Sequence, residues 1–201
     1  RFGLAQSLFQ VGGNFGTAIG PLLAAFIVVP LGRPSVASFC LIAALGIFIL
    51  GRISRWYAGA LTAAKSRKPA DKTLPLPRGR IIAALVVLAF LTSSKNIYTA
   101  SISSYYTFYL IETFDLTTQQ SQLMLFLFLA AMAAGTILGG PIGDRIGPLA
   151  VIWFSILGVL PFTLALPFAN LFWTAILSVM IGLILASAFP AIVVFAQELL
   201  P

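Results

Sequence analysis

The sequence predicts an all-α integral membrane protein with six transmembrane helices, part of a larger helical bundle. Two observations carry this. Hydrophobic residues fill 60% of the 201 positions and charged residues only 8%, with a mean hydropathy of +1.04. A soluble domain carries about 25% charged residues, and a chain this apolar has too few polar groups to cover a water-facing surface. The apolar residues are also gathered into six runs, most of them near the roughly 20 residues that cross a bilayer, with turn-forming or charged segments between them.

The first run is 3–29, closed by "PLGRPS", Pro30 to Ser35, a cluster of helix-breaking residues. The second is 36–50. A basic segment, 52–80, follows. The third run starts at Ile81 and fades near Ile111, and "ETFDLTTQQS" then leads to the fourth, 122–143. "DRIGP" is a short turn before the fifth, 149–168, and the sixth is 171–196. Pro161 and Pro190 fall inside the last two, where a membrane helix tolerates proline as a kink.

Charge sets the orientation. Ten of the twelve basic residues lie on one side of these alternating spans: eight between Arg52 and Arg80, with Arg1 and Arg145. The other side has Arg33 alone. Cytoplasmic loops carry the lysine and arginine excess, so the basic segment is expected in the cytoplasm, near anionic headgroups. It has little aromatic interleaving, so nucleic acid is not an expected partner. Its "KSRKPADKTLPLPRGR" stretch is polar and proline-rich and should be mobile. The chain has no histidine and a single cysteine, Cys40. That excludes disulfide frameworks, zinc sites and histidine catalysis. No cofactor or enzyme chemistry is expected, since no nucleophile–base pair lies within the spans. Starting at Arg1 and stopping just after a span, the chain reads as a piece of a longer protein.

One charge sits inside a span. Lys95 is fourteen residues beyond Ile81, about 21 Å along a helix and past the middle of a roughly 30 Å core. Facing lipid, an ammonium there costs at least about 2.5–3.5 kcal/mol. Thr92, Asn96, Tyr98 and Thr99 surround it, so the expected position is a protein-lined cavity shared with the first and fourth spans. The alternative is that Lys95 snorkels outward. Tyr105, Tyr106, Phe108 and Tyr109 read as an interfacial aromatic belt, Trp153 and Trp173 as anchors, and Met124, Met132 and Met180 as packing.

Glycines recur every four residues twice: Gly12, Gly16 and Gly20 before Pro21, and Gly135, Gly139 and Gly143. Such glycines share a helix face and let another backbone approach. "GGPIGDRIG" then enters a turn. Its Gly140, Asp144, Arg145 and Gly147 resemble the G-x-x-x-D-R-x-G turn motif of the major facilitator superfamily of transporters, with Pro148 where a further basic residue is expected. "GTAIGPLLAAF" resembles the helix-five antiporter motif of that family. Gly16, Gly20 and Pro21 match, while Ser7, Ala24 and Ala25 replace other glycines. "ASAFPAIVVFAQELLP" with "GGPIGDRIG" is similar to the fosmidomycin-resistance group of bacterial drug exporters.

The resemblance implies that the six spans are helices five to ten of a twelve-helix fold in the bacterial inner (plasma) membrane. Residues 1–51 would then be the last two helices of the N-terminal bundle, 52–80 the cytoplasmic central linker, and 81–201 the first four helices of the C-terminal bundle. Spans one and two are expected to form one group and spans three to six another. The implied activity is export of a small anionic drug such as a phosphonate antibiotic, driven by the proton gradient. Lys95 would face the substrate. Asp144 would latch onto the start of the first span, near Arg1, and Glu198 would hold Arg145. The acids are Asp71, Glu112, Asp115, Asp144 and Glu198, none deep in a span, so a proton-coupling acid is expected in other helices. A carrier for a sugar or another organic anion stays open, as does a non-transporting membrane subunit.

Overall fold

A computed structural model describes residues 2–64 and 78–199. The side chains of residues 2, 3, 5, 33, 38, 58–64, 78, 198 and 199 lie outside that description. So do the expectations placed on Arg1, on the Glu198 carboxylate and on the proline-rich part of the linker. Among the described residues all regular structure is helical, and six helices are long and apolar enough to cross a membrane. The chain is a multi-pass membrane protein.

The first span is α1 (Phe2–Leu23), a π-helical turn (Ala24–Val28) and a last short turn α2 (Val29–Leu31). The Val29 amide bonds the Ala24 carbonyl, five residues back. This widened turn sits between Pro21 and Pro30, each of which lacks an amide hydrogen for the ordinary ladder. Gly32, at φ +78°, reverses the chain. A 3₁₀ segment (Arg33–Ser38) leads into α3 (Phe39–Ala64). The linker was expected from residue 52, yet α3 runs on to Ala64. The reason is local: no proline or turn cluster interrupts "RISRWYAGALTAA", and Arg52 lies 5.3 Å from the Phe48 ring centroid, one turn earlier.

Next come α4 (Arg78–Phe114), α5 (Thr118–Ile146), α6 (Pro148–Ala165) with a 3₁₀ turn (Leu166–Phe168), and α7 (Leu171–Leu199). The start of α5 precedes the expected Gln122, because Thr117 and Gln120 form a reciprocal capping box. The Gln120 amide donates to Thr117 Oγ1 at 3.3 Å and the Thr117 amide to Gln120 Oε1 at 3.1 Å. A count of apolar residues leaves out that polar first turn.

Lipid tails are as apolar as leucine, so these helices associate through close packing rather than water exclusion. The most extensive contacts are α5 with α7 and α5 with α1, followed by α6 with α7. Gly135 faces the Leu183 backbone, and a Cβ on Gly139 would come 2.6 Å from Ser187 Cα. Both pairs advance together, so α5 and α7 run parallel. Gly182 supplies the reciprocal approach, where a Cβ would meet the Phe128 carbonyl oxygen at 2.7 Å. Ser155 of α6 bonds Ser187 Oγ at 2.7 Å, tying the third helix in. Leu110, Phe128 and Ile181 are fully buried at the centre.

Among the described helices α1 lies along α5, and α3 packs chiefly on the 3₁₀ segment before it. The glycines of α1 face no described helix either, since a Cβ on Gly12, Gly16 or Gly20 would meet nothing within 4 Å. The buried small residues of α1 are Ser7, Ala18 and Ala25. Their spacings of eleven and seven mark a face opposite the glycines. The aromatic belt also divides. Tyr105 and Phe108 are exposed, whereas Tyr106 is buried against Phe128, with ring centroids 6.4 Å apart.

Candidate functional site

Helix α4 changes character halfway along. Its early turns are apolar, and Lys95, Asn96, Thr99 and Ser103 then follow at offsets of one, four and eight, which keeps them on one side of the helix. Across from them α1 carries Gln10, Asn14 and Thr17, spaced by four and three. The two polar stripes enclose a cavity of about 200 Å³, with Leu129 and Met132 of α5 and Phe189 of α7 completing its wall. A larger cavity of about 470 Å³, between α4, α6 and α7, is walled by alkyl and aromatic groups such as Leu88, Ile152 and Trp153, with nothing to orient a polar ligand.

Lys95 Nζ lies 4.8 Å from the centroid of the Phe189 ring, within cation–π range. Among the described residues Lys95 makes no ion pair. The described acids Glu112, Asp115 and Asp144 sit in the last turns of helices or in the turn after α4. The ammonium therefore borders the cavity with its charge unmatched by a described carboxylate. Buried charge is costly until it is paired or hydrogen-bonded, so the arrangement favours an anion in the cavity.

The sequence-predicted residues divide. Lys95, Asn96 and Thr99 line the cavity. Thr92 does not: it lies one turn nearer the start of α4, and its hydroxyl donates to the Leu88 carbonyl at 2.8 Å. Tyr98 does not either. Its ring leans the other way, and its hydroxyl pairs with Thr163 of α6 at 2.8 Å. Gln10, Asn14, Thr17 and Phe189 were not anticipated. The three polar residues at helical spacing within an apolar span were the available signal.

Asn14 also reaches α5. Its Nδ2 donates to Thr136 Oγ1 at 2.6 Å. Further along the same helix pair, the Leu4 amide donates to Asp144 Oδ2 at 3.3 Å. Leu4 is in the first turn of α1, where amides have no intrahelical acceptor and the helix dipole is positive. Gly147, at φ +92°, closes α5 and opens α6 at Pro148, which places Asp144 and Arg145 at the exposed end of α5; Gly140 is buried one turn earlier. The expected partner of Arg145, Glu198, falls outside the described side chains.

Residues 1–201 match the Major Facilitator Superfamily. The chain belongs to this superfamily. It is 58% identical over its whole length to the Fosmidomycin resistance protein of Escherichia coli (strain K12), covering 50% of that protein. It is 42% identical, over 99% of its length, to the Uncharacterized MFS-type transporter YfnC of Bacillus subtilis (strain 168), covering 49% of that one. The chain thus spans about half the length of these superfamily relatives. No solved structure matches it.

Proposed function

We propose that this chain is the central part of a secondary transporter that exports a small anionic compound of the phosphonate type by alternating access. The observation that carries the reading is Lys95, held beside a polar cavity between α1 and α4 with no described carboxylate to neutralise it. The 58% identity to a protein named for fosmidomycin resistance supports the phosphonate class. On this reading α1 and α3 are the last helices of one bundle and α4 to α7 the first four of the other. The basic segment is then cytoplasmic and the protein lies in the bacterial inner membrane. The contact of Asp144 with Leu4 is a latch between bundles, with Gly140 and Gly147 shaping the turn around it and Arg145 the expected partner of Glu198. Glycines 12, 16 and 20 and Pro21 form an antiporter-like face. Since no described acid lies deep in a span, proton coupling uses a carboxylate elsewhere in the full-length protein.

The test is resistance. The full-length protein, expressed in a drug-hypersensitive bacterial strain, is expected to raise the inhibitory concentration of fosmidomycin several-fold and to leave neutral drugs unaffected. No change for any phosphonate in a panel would remove the substrate assignment.

A further inference from the structure

Asn14 belongs to the cavity and to the helix pair at once. It borders the cavity with Gln10 and Lys95, while its Nδ2 donates to Thr136 Oγ1 at 2.6 Å. Thr136 is fully buried and gives its own hydroxyl hydrogen to the Met132 carbonyl at 2.9 Å. A threonine hydroxyl has one hydrogen to give. It can therefore only accept from Asn14, which fixes the amide with its nitrogen toward α5.

Two features make this bond one that a ligand can open. Its loss leaves the Thr136 hydroxyl still donating to Met132, so no buried donor is stranded, and a stranded group is what makes breaking a buried hydrogen bond expensive. The cavity, at about 200 Å³, is also smaller than the roughly 300–1,000 Å³ typical of small-molecule sites. A ligand in the cavity lies beside Asn14, which lines it, and the Asn14–Thr136 bond holds α1 to α5 at that depth.

We infer that Asn14 is a ligand-sensing residue: its amide clasps Thr136, and an oxyanion arriving at Lys95 competes for that amide and releases α1 from α5. The inference rests on the anion-export reading and adds the residue that links occupancy to helix separation.

The test uses the full-length protein in lipid nanodiscs with fosmidomycin as the probe, comparing wild type, Asn14→Ala, Thr136→Val and the double variant. Thr136→Val keeps the shape and removes the acceptor. It is expected to tighten binding about three- to tenfold, because the competing bond is gone. Asn14→Ala is expected to weaken binding about tenfold, and the double variant to resemble Asn14→Ala. A purely structural role would move both single variants in the same direction. Unchanged or weaker binding in Thr136→Val overturns the proposal. Hydrogen exchange in the ligand-free protein gives a readout that needs no probe: Thr136→Val should speed exchange over residues 10–20, and unchanged exchange there overturns the clasp. If wild type binds no fosmidomycin, the substrate reading fails separately; faster exchange in Thr136→Val would then still support the clasp, with a different anion as its ligand.

Discussion

A lysine within a bilayer needs surroundings other than lipid, and Lys95 finds them in the Phe189 ring and the polar edge of α1. Replacing it with methionine keeps most of the side-chain volume and removes the charge. Lys95→Met in the full-length protein is expected to lower export of an anionic substrate at least tenfold, as expected for a lost hydrogen bond to a charged group, and that of a neutral one far less. Equal export of both by the variant, in vesicle transport assays, would return Lys95 to the snorkelling alternative. The position of Lys95 was legible in sequence because an apolar run makes a single charge conspicuous and helix rise converts its number to a depth. The company it keeps was only half legible. Thr99 and Asn96 share its cavity, but Thr92 bonds its own helix and Tyr98 bonds Thr163. Neighbours in sequence share a helix, whereas the facing polar wall of the cavity comes from α1, 78 to 85 positions before Lys95. Asn14, Gln10 and Thr17 gave a spacing but no direction.

At the scale of helices, the glycine repeats show the same limit. Both have four-residue spacing, yet Gly135 and Gly139 lie against the α7 backbone while Gly12, Gly16 and Gly20 meet no described helix. Periodicity defines a face, and topology decides what that face meets. The difference yields a paired prediction. Gly139→Ala places a methyl group 2.6 Å from Ser187 Cα, so α5 and α7 must separate, at a cost of about 1–3 kcal/mol. Gly143→Ala meets only a Val151 methyl at 3.9 Å and is expected to be tolerated. Thermal unfolding in detergent checks both, and equal midpoints for the two variants would contradict this packing. Spans were the easiest elements to read, since their length follows from bilayer thickness. Their ends were harder: α3 continues past Arg52 and α5 begins with a polar capping box, neither of which a hydropathy count registers.

For the whole molecule, the pairing that matters is α1 with α5, two helices far apart in sequence that run antiparallel from Leu4–Asp144 to Asn14–Thr136. A carboxylate at a helix start contributes about 0.3–1 kcal/mol, enough to bias two conformations of similar energy and too little to hold the fold. Asp144→Asn keeps an acceptor and removes the charge. It is expected to raise thiol labelling of a Gln6→Cys probe, in a background with Cys40 replaced by serine, by up to about fivefold, with the unfolding midpoint unchanged. Unaltered labelling would show that the contact does not bias the helix pair. The parallel pairing of α5 with α7 bears on how the protein is made. Forty-eight residues separate Gly139 from the Ser187 it faces. A ribosome adding about 5–20 residues per second takes about 2–10 s to cover that interval. During that time the glycine face of α5 has no permanent neighbour on that side, and α6, which contributes Ser155 to the same junction, must turn back across the bilayer first. Assembly of these helices is thus timed by the arrival of α7, and slowing translation just after α6 would prolong the exposure of a face that packs backbone to backbone once α7 is in place.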